Sequence, residues 1–166
     1  MSLRNLYLSS FVKRWHTDPW LSEWRQTNGH HQWGVATLIA VLHPAPPARL
    51  LLAALTHDAG EILTGDIPYG FKKLYGGGGI VEAVEQAGEV ERDDMLGVAT
   101  GTLDLADEEQ AWLEMADRLE AWLFVSVASP DMLATRDWQE CERAILEAAD
   151  ALGVGERVRE MMGLDA

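Results

Sequence analysis

The side chains with the most chemical potential in this chain gather in residues 50–73, LLLAALTHDAGEILTGDIPYGFKK. An apolar run closes on His57 and Asp58, and Glu61 follows a turn later. Helical spacing sets His57 and Asp58 about 100° apart and makes both neighbours of Glu61. Burying an imidazole and carboxylates in the densest apolar part of a helix is costly unless a partner satisfies them. Two further groups lie on apolar faces: His31 with Val35 and Leu38, and Asp117 with Leu113, Ala121 and Phe124. Together, His31, His57, Asp58 and Asp117 form a candidate ligand set. Two imidazoles and two carboxylates suit one divalent transition ion, Mn²⁺, Co²⁺, Fe²⁺ or Zn²⁺, rather than Ca²⁺. Positions left open would take water and a substrate oxygen. Blander readings stay open at this level. His31 could be a hydrogen-bonded core histidine, Asp117 a partner of Arg118 or Arg14, and Glu61 an exposed helix carboxylate.

The elements that must position these groups read as helices. Apolar spacing predicts a short helix over residues 3–13, an ordered loop with about one helical turn over 14–29, and a helix over 31–43. Pro44, Pro46 and Pro47 stop that helix and start the next, which is expected to run from 47 to 63 and to stop at Gly65. A short helix is expected over 68–74 and a flexible loop at the four glycines 76–79, read as a linker or as a segment that orders on ligand binding. Helices follow over 80–96, from Asp104 or Asp107 as cap to 129, and over 135–152, and Gly153-Val154-Gly155 separates a short final helix through Met162. No segment alternates like a strand. The expectation is an all-α bundle of five to seven helices in one domain, 1–166, with the metal site in the bundle interior.

Composition narrows the function. The formal net charge is −14. Such a surface repels polymeric nucleic acid and anionic membrane, but a metal and a few basic residues can still reverse the potential inside a cleft. One cysteine, Cys141, allows no intrachain disulfide, which fits a reducing compartment. Polar and basic residues interrupt the N-terminal segment, and no apolar run approaches the roughly 20 residues of a membrane span. A cytoplasmic location is expected, the host cytoplasm if the protein is phage-encoded.

The order His31, His57-Asp58, Asp117 resembles the H…HD…D signature of the HD-domain phosphohydrolases. The likeness extends to Arg14-Trp15, to Gly29-His30-His31-Gln32-Trp33-Gly34-Val35-Ala36, to the block from His57 to Pro68 reading HDAGEILTGDIP, and to Ala116-Asp117. These are similar to the RW, EHS…VA, HDA.E.LTGD.P and AD motifs of the bacterial and phage branch with 5′-deoxynucleotidase activity. The resemblance spans residues 11–125, and its long HD block is far more specific than the bare dipeptide. One departure is His30, which replaces the usual acid before the first histidine; spacing to Val35-Ala36 favours His31 as the ligand.

The resemblance implies roles for named residues. His31, His57, Asp58 and Asp117 would be ligands, and Glu61 the acid/base group. Arg14 would contact the substrate phosphate. Trp15 would press on the sugar and exclude a 2′-hydroxyl, Asp66 would accept from the 3′-hydroxyl, and Lys72 and Lys73 would assist with phosphate. From the residues alone, Trp15 could equally be core, Asp66 a turn residue and the lysines solvated. The implied reaction is hydrolysis of a deoxyribonucleotide at the α-phosphorus with release of a deoxynucleoside. Its substrate would be a monophosphate or, as in small phage enzymes on the same scaffold, a triphosphate, with dATP favoured. A homo-oligomer is also implied. The competing class is a non-catalytic nucleotide-binding or assembly module that keeps the motif.

Overall fold

A computed structural model describes residues 3–76 and 79–164; Gly77 and Gly78, the centre of the glycine loop, lie outside the described residues. The chain is all-α. Eight α-helices form among the described residues: α1 Leu3–Ser9, α2 Asn28–Leu42, α3 Ala48–Ala54, α4 Tyr69–Tyr75, α5 Ile80–Leu96, α6 Asp107–Ala128, α7 Arg136–Ala151 and α8 Gly155–Met162. Three 3₁₀ segments accompany them, at Ser22–Trp24, Ala59–Ile62 and Pro130–Ala134. No described helix is long and apolar enough to cross a membrane.

The chain divides into two compact units, each assembled from two stretches of sequence, 1–33 with 53–104 and 34–52 with 105–166. In the second unit α6 packs on α7, and α7 on α8. Trp112, Met115, Leu119, Trp122 and Val125 of α6 are buried, as are Ile145 and Ala149 of α7 and Val158 of α8. Gly34 of α2 lies close enough to Glu120 of α6 that a Cβ there would collide with the glutamate side chain. α6 is capped by neither Asp104 nor Asp107. Its cap is Ala106, whose N–H donates to Glu109 Oε2 at 3.0 Å. Glu109, three residues inside, reaches back to that amide and also binds Arg49 at 2.6 Å.

In the first unit α1 stops at Ser9 rather than continuing to residue 13. The Ser9 and Ser10 hydroxyls each donate to the carbonyl three residues back, both at 2.7 Å, competing with the helix ladder. The chain then extends and pairs with the strand-like segment before α2. Lys13 and Thr27 form an isolated antiparallel bridge, Arg14 N–H donates to Gln26 C=O at 3.0 Å, and Asn28 N–H donates to Val12 C=O at 2.9 Å. This pairing carries Arg14-Trp15 to the first turn of α2.

The expected helix over 47–63 does not form as one piece. α3 ends at Ala54, three residues before His57, and the chain passes through turns into the 3₁₀ segment Ala59–Ile62. One local and two distant side chains take over the backbone groups at the break. His57 Nδ1 takes the Ala54 carbonyl at 2.9 Å, the acceptor an unbroken helix would give to the Asp58 N–H. The Gln32 amide, oriented by its partners, donates to Leu55 C=O and accepts from Asp58 N–H, both at 3.2 Å. Asn28 Nδ2 donates to Asp58 C=O at 3.2 Å.

The 3₁₀ segment packs on α5 and α1. Gly60 is what lets α5 come so close, because a Cβ there would overlap the backbone of Gly88. Gly60→Ala should therefore lower stability by about 1–3 kcal/mol or more through overpacking. Urea unfolding checks this, and an unchanged midpoint would contradict the packing.

Candidate metal centre

α2 presents Asn28, His31, Gln32 and Val35 on one face, by their spacing of three and four residues. Asn28 and His31 are fully buried and Gln32 nearly so. The histidine therefore enters from a rigid helix. The broken segment supplies His57 and Asp58, whose side chains are 15% and 16% exposed, so they are sheltered but reachable.

His31 Nε2, His57 Nε2 and Asp58 Oδ2 converge. The two nitrogens are 3.3 Å apart, and Oδ2 lies 3.7 Å from His31 Nε2 and 3.4 Å from His57 Nε2. Among the described residues, these three form the group of histidine, cysteine and acid side chains close enough to share one ion. His57 Nδ1 faces the Ala54 carbonyl and must carry the proton, so Nε2 presents its lone pair to the cluster. The His31 nitrogen and the Asp58 oxygen face that lone pair, so the three atoms offer donors to one shared ion. Ligand bonds of about 2.0–2.2 Å around one ion separate donor atoms by roughly 3.0–3.6 Å, so the cluster fits a divalent transition ion. Exposed His30 donates its backbone N–H to Thr27 Oγ1 at 3.4 Å, and it is His31 that faces His57.

Glu61 does not sit on an α-helix with His57 as the spacing predicted. The 3₁₀ segment positions it, with its N–H on Asp58 C=O at 3.0 Å. Its carboxylate Oε2 accepts from Asn28 Nδ2 at 2.7 Å. Burial pushes its pKa up to about 7, the charge of Asp58 pushes the same way and Asp66 adds a smaller push. The Asn28 hydrogen bond and the Arg14 charge oppose them. A carboxyl group that titrates near neutrality can both take and give a proton at working pH.

Arg14 Nη1 donates to Asp58 Oδ2 at 2.7 Å, the same oxygen that faces the histidines. Trp15 is half-buried and adopts φ +59°, the left-handed region that side chains larger than glycine rarely enter. Two acceptors hold it there: Asp66 Oδ2 takes its backbone N–H at 3.1 Å and Gln26 Oε1 takes its indole N–H at 2.5 Å. The guanidinium of Arg14 lies 5.6 Å from the Trp15 ring centroid.

The structure thus brings together Arg14, Trp15, His31, His57, Asp58, Glu61 and Asp66. Lys72 Nζ instead pairs with Glu85 of α5 at 3.6 Å, both well exposed. Asp117 belongs to the second unit, on α6, half-buried on a face with half-buried Leu113, Ala121 and Phe124. Arg118 beside it pairs with Glu114 at 3.5 Å. Sequence reasoning missed Gln26, Asn28 and Gln32. The signal was present for two of them: Asn28 and Gln32 share the inward face of α2 with His31, where uncharged amides need internal partners.

A helical scaffold that offers two imidazoles and an aspartate to one ion, with an acid alongside, suits metal-dependent hydrolysis. The HD domain model matches residues 28–153, most of the chain, and the protein belongs to the HD-domain family. No curated protein and no solved structure matches the chain. Family membership implies a hydrolase that binds a divalent metal.

The raised Glu61 pKa has a stability consequence in metal-free protein. The folded state binds this proton more tightly than the unfolded chain, whose value is 4.5, so stability falls as pH rises from 4.5 towards about 7. Glu61→Gln removes the penalty and keeps an acceptor for Asn28. The variant should match wild type below pH 4.5 and exceed it at pH 8 by up to about 3 kcal/mol. Urea unfolding at both pH values measures this, and equal stability at pH 8 would contradict the buried carboxyl.

Proposed function

We propose that the protein hydrolyses deoxyribonucleotides at the α-phosphorus and releases a deoxynucleoside, with His31, His57, Asp58 and Asp117 as ligands of one Mn²⁺, Co²⁺, Fe²⁺ or Zn²⁺. The substrate is a deoxynucleoside monophosphate or triphosphate, with dATP favoured. The observation that carries the reading is the meeting of Arg14 with Asp58 and of Trp15 with Asp66, at 2.7 and 3.1 Å. It unites the resemblance's RW and HDA.E.LTGD.P motifs at the cluster.

A bound ion supplies a Lewis acid for a phosphoryl oxygen and acidifies water. The chain's own residues do the rest. Glu61 takes a proton from the attacking water and returns one to the 5′-oxygen as it leaves. Arg14 turns its fork of donors to the phosphate, which competes with Asp58 for the guanidinium. Trp15, fixed on both its backbone and indole N–H groups, walls off the sugar position where a 2′-hydroxyl would project. Asp66 spends Oδ2 on Trp15 and keeps Oδ1 for the 3′-hydroxyl. Lys72 reaches phosphate only by leaving Glu85, and an exposed pair of this kind is worth about 1 kcal/mol at most. The substrate is a small molecule, not polymeric nucleic acid or membrane, and the working form is a homo-oligomer.

The decisive assay presents dAMP and dATP side by side to metal-depleted protein re-supplied with Mn²⁺ or Co²⁺, and separates phosphate from triphosphate. Hydrolysis that depends on the added metal is expected. No turnover across all deoxynucleoside mono- and triphosphates would overturn the proposal and leave a module that binds without reacting. Glu61→Ala should keep the metal and lose about 10²–10⁴-fold in kcat. Trp15→Ala should raise activity on ribonucleotides relative to deoxyribonucleotides by about tenfold or more, and an unmoved ratio would refute the sugar wall.

A further inference from the structure

Asn28 is the first residue of α2, and its side chain is wholly buried. Both of its amide hydrogens are used. One goes to the Asp58 carbonyl at 3.2 Å and the other to Glu61 Oε2 at 2.7 Å. The chemistry fixes which end of the amide faces them, because turning it over would set its oxygen against a carbonyl and a carboxylate. A single NH₂ group therefore spans the backbone of a proposed ligand and the carboxylate proposed for proton transfer. Its own backbone is tied down as well, by the N–H donated to Val12 C=O at 2.9 Å. The donor is thus held by a helix start and a strand-like pairing, neither of which moves with Glu61.

We infer that Asn28 is a positioning residue for the reaction: its amide holds Glu61 Oε2, so that Oε1 faces the attacking water. The inference rests on the proposed hydrolytic function, through the role given to Glu61. An apolar residue of similar size would leave the Asp58 carbonyl and the Glu61 carboxylate without this donor. The three metal-facing atoms belong to other side chains, and the Asp58 carbonyl keeps the Glu61 N–H as a second donor at 3.0 Å, so loss of the amide falls chiefly on the Glu61 carboxylate.

The test compares wild type with Asn28→Ala and Asn28→Ser, since the serine hydroxyl restores one donor. With Mn²⁺ saturating, Asn28→Ala should lose about 10- to 100-fold in kcat, the scale for removing a group that orients a metal-site residue. KM and the Mn²⁺ dissociation constant should stay within about threefold. Asn28→Ser should recover part of the loss, and Asn28→Ala should add nothing further to Glu61→Gln, because the two act as one unit. A crystal structure of Mn²⁺-loaded Asn28→Ala supplies a readout apart from turnover. It should show the Glu61 carboxylate displaced and His31, His57 and Asp58 in place. An unmoved Glu61, full additivity with Glu61→Gln, or failure of both variants to fold would overturn the inference. Absence of turnover in wild type would sink the proposed function instead, while the displaced or unmoved Glu61 would still decide what Asn28 positions.

Discussion

The Ala54 carbonyl can serve the helix or the site. In an uninterrupted α-helix it would accept the N–H of Asp58; here it accepts Nδ1 of His57. That exchange ends α3, and the released backbone groups must find other partners, since buried amides and carbonyls left alone are expensive. Gln32 takes Leu55 C=O and Asp58 N–H, and Asn28 takes Asp58 C=O. The first turns of α2 therefore complete the helix that stops. His31 lies on the same face as these two amides, which is why it arrives opposite His57. The break does three jobs with one set of bonds: it fixes the tautomer of His57, re-aims Asp58, and clamps the segment to α2.

Electrostatics follow from this geometry. The bonds of the break force three electron-rich atoms to within 3.3–3.7 Å of one another. Arg14 answers part of that charge from one side, on Asp58 Oδ2, and a metal ion would answer the rest. Crowded carboxylates and burial hold Glu61 between its two protonation states near neutral pH. Trp15 pays about 1–2 kcal/mol to sit in the left-handed region, a strain that persists because Asp66 and Gln26 bind the strained form. Strain held by side chains from two other segments shows that the position of this ring is strongly determined by the fold.

Local signals in the sequence made much of the helix content legible. α5 spans Ile80–Leu96 as its periodicity predicted, because left-handed Gly79 and Gly97 bound it and no distant group intervenes. α7 and α8 were readable for the same reason, with Gly153 between them in the left-handed region. The run from 47 to 63 was misread because it carries no proline or glycine where the break falls, between Ala54 and His57; His57 takes the Ala54 carbonyl, and the other freed groups go to Gln32 and Asn28, far away in sequence. The cap of α6 was misplaced onto aspartates, when the bond comes from Glu109 reaching back to Ala106. In the site, residue types and order pointed to His31, His57 and Asp58, which the fold brings together. The same order pointed to Asp117, for which helix periodicity yields a face on α6 and no distance to the others. The resemblance implied a sugar contact for Asp66 and the residues alone a turn role, and its bond to the Trp15 backbone could be found only in three dimensions.

The central claim is that the broken helix and α2 together build a metal centre. Diffraction from crystals of the Mn²⁺-loaded protein, measured across the manganese absorption edge, tests it most directly. The account predicts one anomalous peak about 2.0–2.3 Å from each of His31 Nε2, His57 Nε2 and Asp58 Oδ2. No peak at these three atoms under saturating Mn²⁺, or a peak held by other residues, would contradict it.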